Sequence, residues 1–192
     1  SFLTITLRAN QNVTGLALTT FGTGFGNFFG EIMGTAAGGY VSVGTVIKAA
    51  FNDGIPVLKD IPIIGKLLFS YSFFVYLALA LAIILAYFLN KTKTGLNLRA
   101  VGENPATADA AGINVNAYKY WATCIGSAIA GLGGLYYVMD YISGVWSNDG
   151  FGDRGWLAIA LVIFAVWKPD LSILGSILFG GLYIVYLFIP GL

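Results

Sequence analysis

The sequence predicts an all-α, polytopic transmembrane helical bundle, and predicts it as an internal fragment of a longer membrane protein. Three observations carry that prediction. The chain of 192 residues is 57% hydrophobic and only 10% charged, with a mean hydropathy of +0.80, whereas soluble domains average about 25% charged residues. Two uncharged apolar runs, Leu67–Asn90 of 24 residues and Tyr120–Met139 of 20, each reach the roughly 20 residues a helix needs to cross a hydrocarbon core. Between them lies a polar stretch of 29 residues, Lys91–Lys119. Ser1 opens no pattern of basic, apolar and small-residue regions, and Leu192 follows directly on an apolar run, so both ends read as cuts.

The spans follow in order, at about 9–30, 67–90, 118–139, 155–167 and 171–190. The first, ANQNVTGLALTTFGTGFGNFFG, is uncharged but unusually polar. Residues 31–66 hold three acids and three bases; within them IPIIGKLLF is too short to span and predicts an interfacial or re-entrant piece. Gly155–Trp167 has 13 apolar residues, about 20 Å as a helix, so it predicts a short or discontinuous helix. Lys168-Pro169-Asp170 interrupts it, Pro169 being a helix breaker, and Leu171–Leu192 is again long enough to span.

Alternation and charge give one topology. Short loops rich in Lys and Arg stay in the cytoplasm. Residues 91–119 carry Lys91, Lys93, Arg99 and Lys119 against Glu103 and Asp109, net +2, whereas 140–154 is net −2. Arg8 and the polar stretch therefore lie inside, and 31–66 and 140–154 outside.

The cytosolic stretch has local structure of its own. Asn104 is a good N-cap, Pro105 suits the first helical position, and Gly112 is placed for a left-handed cap. Gly102–Ile113 thus predicts a short helix at the cytosolic surface, with Asn114 or Asn116 capping the next helix. A capped connector without a partner would look the same, but a plain helix hairpin needs only about 2–8 linking residues.

Other motifs divide between packing and function. Asn10, Gln11, Asn12, Thr14, Thr19, Thr20, Thr23 and Asn27 load the first span with neutral hydrogen-bonding groups. Such groups either line a solute pathway or bond between helices. Gly22, Gly26 and Gly30 form one small-residue stripe for helix packing, and Gly126, Ala130 and Gly134 a second. The run GTGFG lacks the spacing and the Lys-Ser/Thr of a phosphate loop. Asp140, Asp149, Asp153 and Arg154 read as a solvated outer rim, and Trp121, Trp146, Trp156 and Trp167 as an interfacial belt. One cysteine, Cys124, and no histidine exclude an internal disulfide framework and a His- or Cys-cluster metal site; Cys124 reads as a packing residue. A net charge of +1 without a polybasic patch gives no footprint for nucleic acid.

The stretch TGLNLRAVGENPATADAAGINVNAYKY, followed by SAIAGLGGLYY, resembles the coupling region of the permease subunits of ATP-binding-cassette (ABC) importers. The relevant branch carries ribose, branched-chain amino acids, simple sugars and nucleosides. IPIIGKLLF with VYLALAL, and GWLAIALVIFAVWKPDLSILGSILFG downstream, are similar to the nucleoside and simple-sugar permeases that work with a basic-membrane-protein-type lipoprotein. The likeness covers most of 1–190 and is sharpest over Leu98–Gly134.

That resemblance implies a fragment of a longer multi-pass permease of the bacterial plasma (inner) membrane. It implies that the helix at Gly102–Gly112 docks on a cytosolic ATPase subunit through Arg99, Gly102, Glu103, Asn104, Pro105, Asp109 and Gly112. ATP and Mg would be bound by that partner and no cofactor by this chain. A second permease subunit, the same or different, and an external substrate-binding lipoprotein complete the expected assembly. The chain has VIFAVWKP where sugar permeases have a Gly-Gly stretch, which favours nucleosides over ribose. A simple-sugar permease is the first alternative. An ion-coupled carrier is the second, against which every charge lies at or beyond a predicted span end.

Overall fold

A computed structural model describes residues 1–52 and 71–188. They are helical throughout, with no strand among them and one isolated bridge, Ser42 to Val145. The α-helices are α1 (Gln11–Ala36), α2 (Thr45–Asn52), α3 (Phe73–Lys91), α4 (Lys93–Glu103), α5 (Pro105–Ala110), α6 (Val115–Tyr136), α7 (Arg154–Phe164) and α8 (Pro169–Phe188). Two single π-turns, Phe2–Thr6 and Tyr137–Tyr141, precede α1 and extend α6.

Two of the described helical stretches are long and apolar enough to cross a membrane: Phe73–Lys91 and Val115–Tyr141. In a soluble protein such helices form the core. Here only 6% and 11% of their most apolar windows are buried, and Ile83, Ile84 and Tyr87 of α3 point outward. Apolar surface on this scale requires lipid or other helices as its solvent. The all-α fragment of a membrane bundle that the composition predicts is therefore what the chain builds.

The contacts divide the chain into two compact units, one within Ser1–Phe74 and Asn97–Gly150, the other within Val75–Leu96 and Phe151–Leu192. In the first, α1 runs unbroken over 26 residues, about 39 Å at the α-helical rise. The predicted span at 9–30 thus starts two residues later and continues six further, past Glu31. Asn10 starts it, its side-chain oxygen accepting from the amides of Asn12 (2.9 Å) and Val13 (3.2 Å).

The outer ends of the helices in this unit are joined by an aromatic cluster. Phe51 of α2 stacks on Phe74 (ring centroids 5.4 Å), and Phe74 meets Tyr136 edge-on (6.2 Å). Buried Ser72 donates to the Asp140 carboxylate at 2.8 Å.

In the second unit α3 gives way to α4 across Thr92. The Thr92 hydroxyl donates to the Phe88 carbonyl (2.7 Å) and accepts from the Gly95 amide (3.0 Å). A Cβ on Gly95 would run into the Phe88 carbonyl, so the turn closes only around a glycine. Helix α7 folds back on α8, with Phe164 edge-on to Phe179 at 5.3 Å and Gly175 lying against Leu161 and Phe164. Helix α7 stops after 11 residues, and Val166 and Trp167 then take left-handed φ of 52° and 58°. Pro169 is the first residue of α8 rather than the end of a helix, a position where its missing N–H costs nothing.

Three readings change. Residues 93–101, predicted as loop, are helical, and α4 takes in Gly102 and Glu103, so the predicted helix at Gly102–Ile113 shortens to Pro105–Ala110. Cys124 is exposed on α6 rather than packed. The re-entrant phrase IPIIGKLLF lies outside the described residues.

Candidate functional site

The short helix of the polar stretch forms as its caps dictate. Asn104 accepts from the Thr107 amide at 3.1 Å, Pro105 opens α5, and Gly112 turns at φ 79°. The amides of Gly112 and Ile113 then bond back to the carbonyls of Asp109 (2.9 Å) and Ala108 (3.0 Å). Of the two candidate caps for the next helix, Asn114 is used, accepting from the Ala117 amide at 3.0 Å.

Packing faces this segment outward. Val101 and Ala108 are its buried residues, 2% and 3% exposed. Arg99, Gly102, Glu103, Asn104, Pro105, Asp109 and Gly112 are all exposed. Asn97 donates to the Tyr118 hydroxyl at 3.2 Å, tying the C-terminal half of α4 to the start of α6. The segment is thus a fixed platform with Glu103, Asn104 and Asp109 exposed on its surface.

Beside it opens a cleft of about 820 Å³. Arg8 and Gln11 line one side, Pro105, Asp109 and Gly112 another, and Asn116 and Lys119 the start of α6. The structure therefore gathers one predicted pathway residue, Gln11, with three predicted coupling residues. It adds Arg8 and Lys119, which sequence reasoning had used only for topology. Thr6 and Tyr120 share a hydrogen bond, which ties the segment before α1 to the start of α6.

The remaining polar residues of α1 are occupied differently. Thr14, Thr19 and Thr20 donate to the carbonyls of Asn10 (2.8 Å), Gly15 (3.0 Å) and Leu16 (3.1 Å). That back-bonding satisfies their protons within the helix and leaves their oxygens as acceptors. Asn10 is engaged as the cap, and Gln11 and Asn12 are exposed. Asn27 pairs with Asp149 instead: its amide donates to the carboxylate at 3.0 Å and its oxygen accepts from the Asp149 backbone at 3.3 Å.

Among the described residues, the Trp146 indole lies against the glycine stripe of α1. A Cβ on Gly30 would overlap the Trp146 ring, and one on Gly26 would sit 3.6 Å from it; at Gly22 nothing lies within 4 Å. Trp146 is therefore a wedge, not part of an interfacial belt, while Trp121, Trp156 and Trp167 are exposed as such a belt requires. Asp140 is half-buried and accepts from Ser72, and Asp149 is exposed, as a solvated rim requires, and also accepts from Asn27. On α6, Gly126 and Gly134 meet nothing within 4 Å. The GTGFG run is helical, inside α1. Among the described residues no three acidic or cysteine side chains gather in a metal-binding group.

An all-α chain with two helices long and apolar enough to cross a membrane, and a short capped helix between them in sequence, is the class of protein this geometry defines. Residues 1–190 match the family described as the permease component of the branched-chain amino acid transport system, and the chain belongs to that family. It is 36% identical over 178 residues to the nucleoside ABC transporter permease protein NupC of Lactococcus lactis subsp. cremoris, covering 92% of this chain and 54% of that one. It is 35% identical over 182 residues to the putative glucose ABC transporter permease protein TsgC13 of Haloferax volcanii (94% and 53%). With the guanosine ABC transporter permease protein NupQ of Bacillus subtilis it shares 34% over 178 residues (92% and 54%). The chain thus spans about half the length of these relatives. No solved structure matches it.

Proposed function

We propose that the chain is part of the transmembrane permease subunit of an ATP-driven importer of nucleosides, resident in the plasma membrane. The observation that carries this reading is the exposed platform of α4 and α5, which lies in sequence between the two helices long and apolar enough to cross a membrane and is fixed by its own caps. A rigid, outward-facing helix is what a soluble motor can push against; a flexible loop would absorb the force. Arg99, Glu103, Asn104 and Asp109 supply its polar contacts to a cytosolic ATPase, with Gly102, Pro105 and Gly112 setting its ends. ATP and Mg belong to that partner, and this chain performs no covalent chemistry. A second permease subunit and an external binding lipoprotein complete the importer.

The solute follows from two supports. The neutral amides and hydroxyls at Asn10, Gln11, Asn12, Thr14, Thr19 and Thr20 suit an uncharged, hydrogen-bonding molecule, and two of the relatives above are named for nucleosides. A simple sugar has the same chemistry and is the second reading, favoured by the 35% identity to a permease named for glucose.

The test is uptake by the full-length protein reconstituted with its ATPase and binding protein. ATP-dependent accumulation of labelled guanosine, outcompeting glucose, is the expected result. Glucose uptake that nucleosides leave untouched would move the assignment to sugars, and uptake driven by an ion gradient without ATP would overturn it.

A further inference from the structure

Helices α1 and α6 are tied to each other at both ends. At the inner end Thr6 bonds to Tyr120. At the outer end the loop that follows α6 is stitched back over α1. The Trp146 indole fills the notch at Gly30, and its N–H donates to Asn148 at 3.0 Å, which fixes the ring. Asn27 and Asp149 make their two hydrogen bonds one turn away along α1.

The loop itself is held on both sides. Tyr137 donates to the Gly150 carbonyl, the Trp146 amide to Val41 (2.9 Å), and the Val43 amide to Gly144 (2.8 Å). Midway, Gly15, Gly22 and Gly24 of α1 and Gly126 and Gly131 of α6 have nothing within 4 Å of where a Cβ would stand. The pair therefore resembles two rails with cross-pieces at their ends.

We infer that Trp146, seated on Gly30, with the Asn27–Asp149 pair, is the strut through which a push on α5 reaches the outer half of α1. The inference rests on the proposed function, because it takes α5 to be where the ATPase pushes. The route is continuous. The α5–α6 break is closed by the Ala108 and Asn114 hydrogen bonds. Helix α6 with its π-turn is one rod of 27 residues, about 40 Å long. The loop hangs from the end of that rod, and its wedge is a shape fit that tolerates no added methyl on the α1 side. A packed contact of this kind moves as a unit or breaks; it does not stretch. Trp146 is thus a positioning residue: it touches no solute, and it keeps α1 in step with α6.

Transport separates a strut, which stays closed throughout the cycle, from a latch, which must open. The experiment uses the full-length permease with its ATPase in proteoliposomes, in a Cys124→Ser background. Asn27→Cys and Asp149→Cys are joined by a short, reducible bis-methanethiosulfonate linker. Uptake that survives linking is expected; uptake lost on linking and restored by reductant would overturn the strut. Trp146→Ala should raise the ATP hydrolysed per solute by roughly 2- to 30-fold, the range of couplings carried by single residues between sites. Linking the two cysteines in the Trp146→Ala chain should bring that ratio back. A ratio unchanged by Trp146→Ala contradicts the inference while leaving the importer assignment intact. ATPase-independent uptake by the unsubstituted protein would instead sink the assignment on which the inference rests.

Discussion

The two ends of the α1–α6 pair are built on opposite principles. At the outer end an indole sits in a glycine notch, and the carboxylates of Asp140 and Asp149 accept from Ser72 and Asn27. At the inner end a polar cleft of about 820 Å³ stands open, lined by exposed Arg8 and by Asp109 of α5. One end is completed by the chain's own residues, and its geometry resists change. The other holds its backbone rigid through caps and leaves its side chains for something else to meet. A device that passes motion through a membrane needs both: a junction that does not slip and a surface that can be gripped.

Substitutions along α1 break this comparison most sharply. Gly30→Leu should destabilise the folded protein by about 1–3 kcal/mol, the range for overfilling a packed site, because the Trp146 ring already occupies the space. Gly22→Leu, two turns away on the same stripe, meets open space and should change little. Thermal unfolding of the full-length protein in detergent checks the pair; equal losses would mean that the stripe packs uniformly and the notch is not special.

At the inner end the expected costs are smaller and local. Gly112→Ala forces a Cβ into a left-handed residue at φ 79° and should cost about 1–2 kcal/mol. Asn104→Ala removes the cap and should cost about 1 kcal/mol. Both should show as faster amide exchange over 105–113 with the outer loop unaffected. The smallest effect belongs to Arg8, an exposed residue on the rim of the cleft. Arg8→Ala should shift stability by no more than about 0.5 kcal/mol, as surface changes do, because the open end is not held together by its charges.

The same contrast explains what could be read from the sequence. Asn104, Pro105, Gly112 and Asn114 act on neighbours within a few residues, so composition and spacing reveal α5 and both of its breaks. The two helices long and apolar enough to cross a membrane announce themselves by length. Helix α4 hides because its first half is as polar as a loop; the one local signal was Thr92, placed to cap Gly95. The Trp146 wedge was not legible, since a glycine 116 positions upstream in the chain receives it and only the fold brings them together. The small-residue stripe did indicate that something comes close to Gly26 and Gly30; it could not say that an indole lies there. The left-handed turn at Val166 and Trp167 was equally hidden, because nothing in a β-branched residue followed by an aromatic asks for positive φ.

The central claim is that the α4–α5 platform is gripped from the cytosol by an ATPase. The direct test places one thiol there, Glu103→Cys in a Cys124→Ser background, in the full-length protein in membranes with its ATPase. The account predicts a specific crosslink to that subunit, lost when Asp109→Lys is added. Labelling of residue 103 only from the outer face, or no captured ATPase although cytosolic reagents reach the thiol, would contradict it.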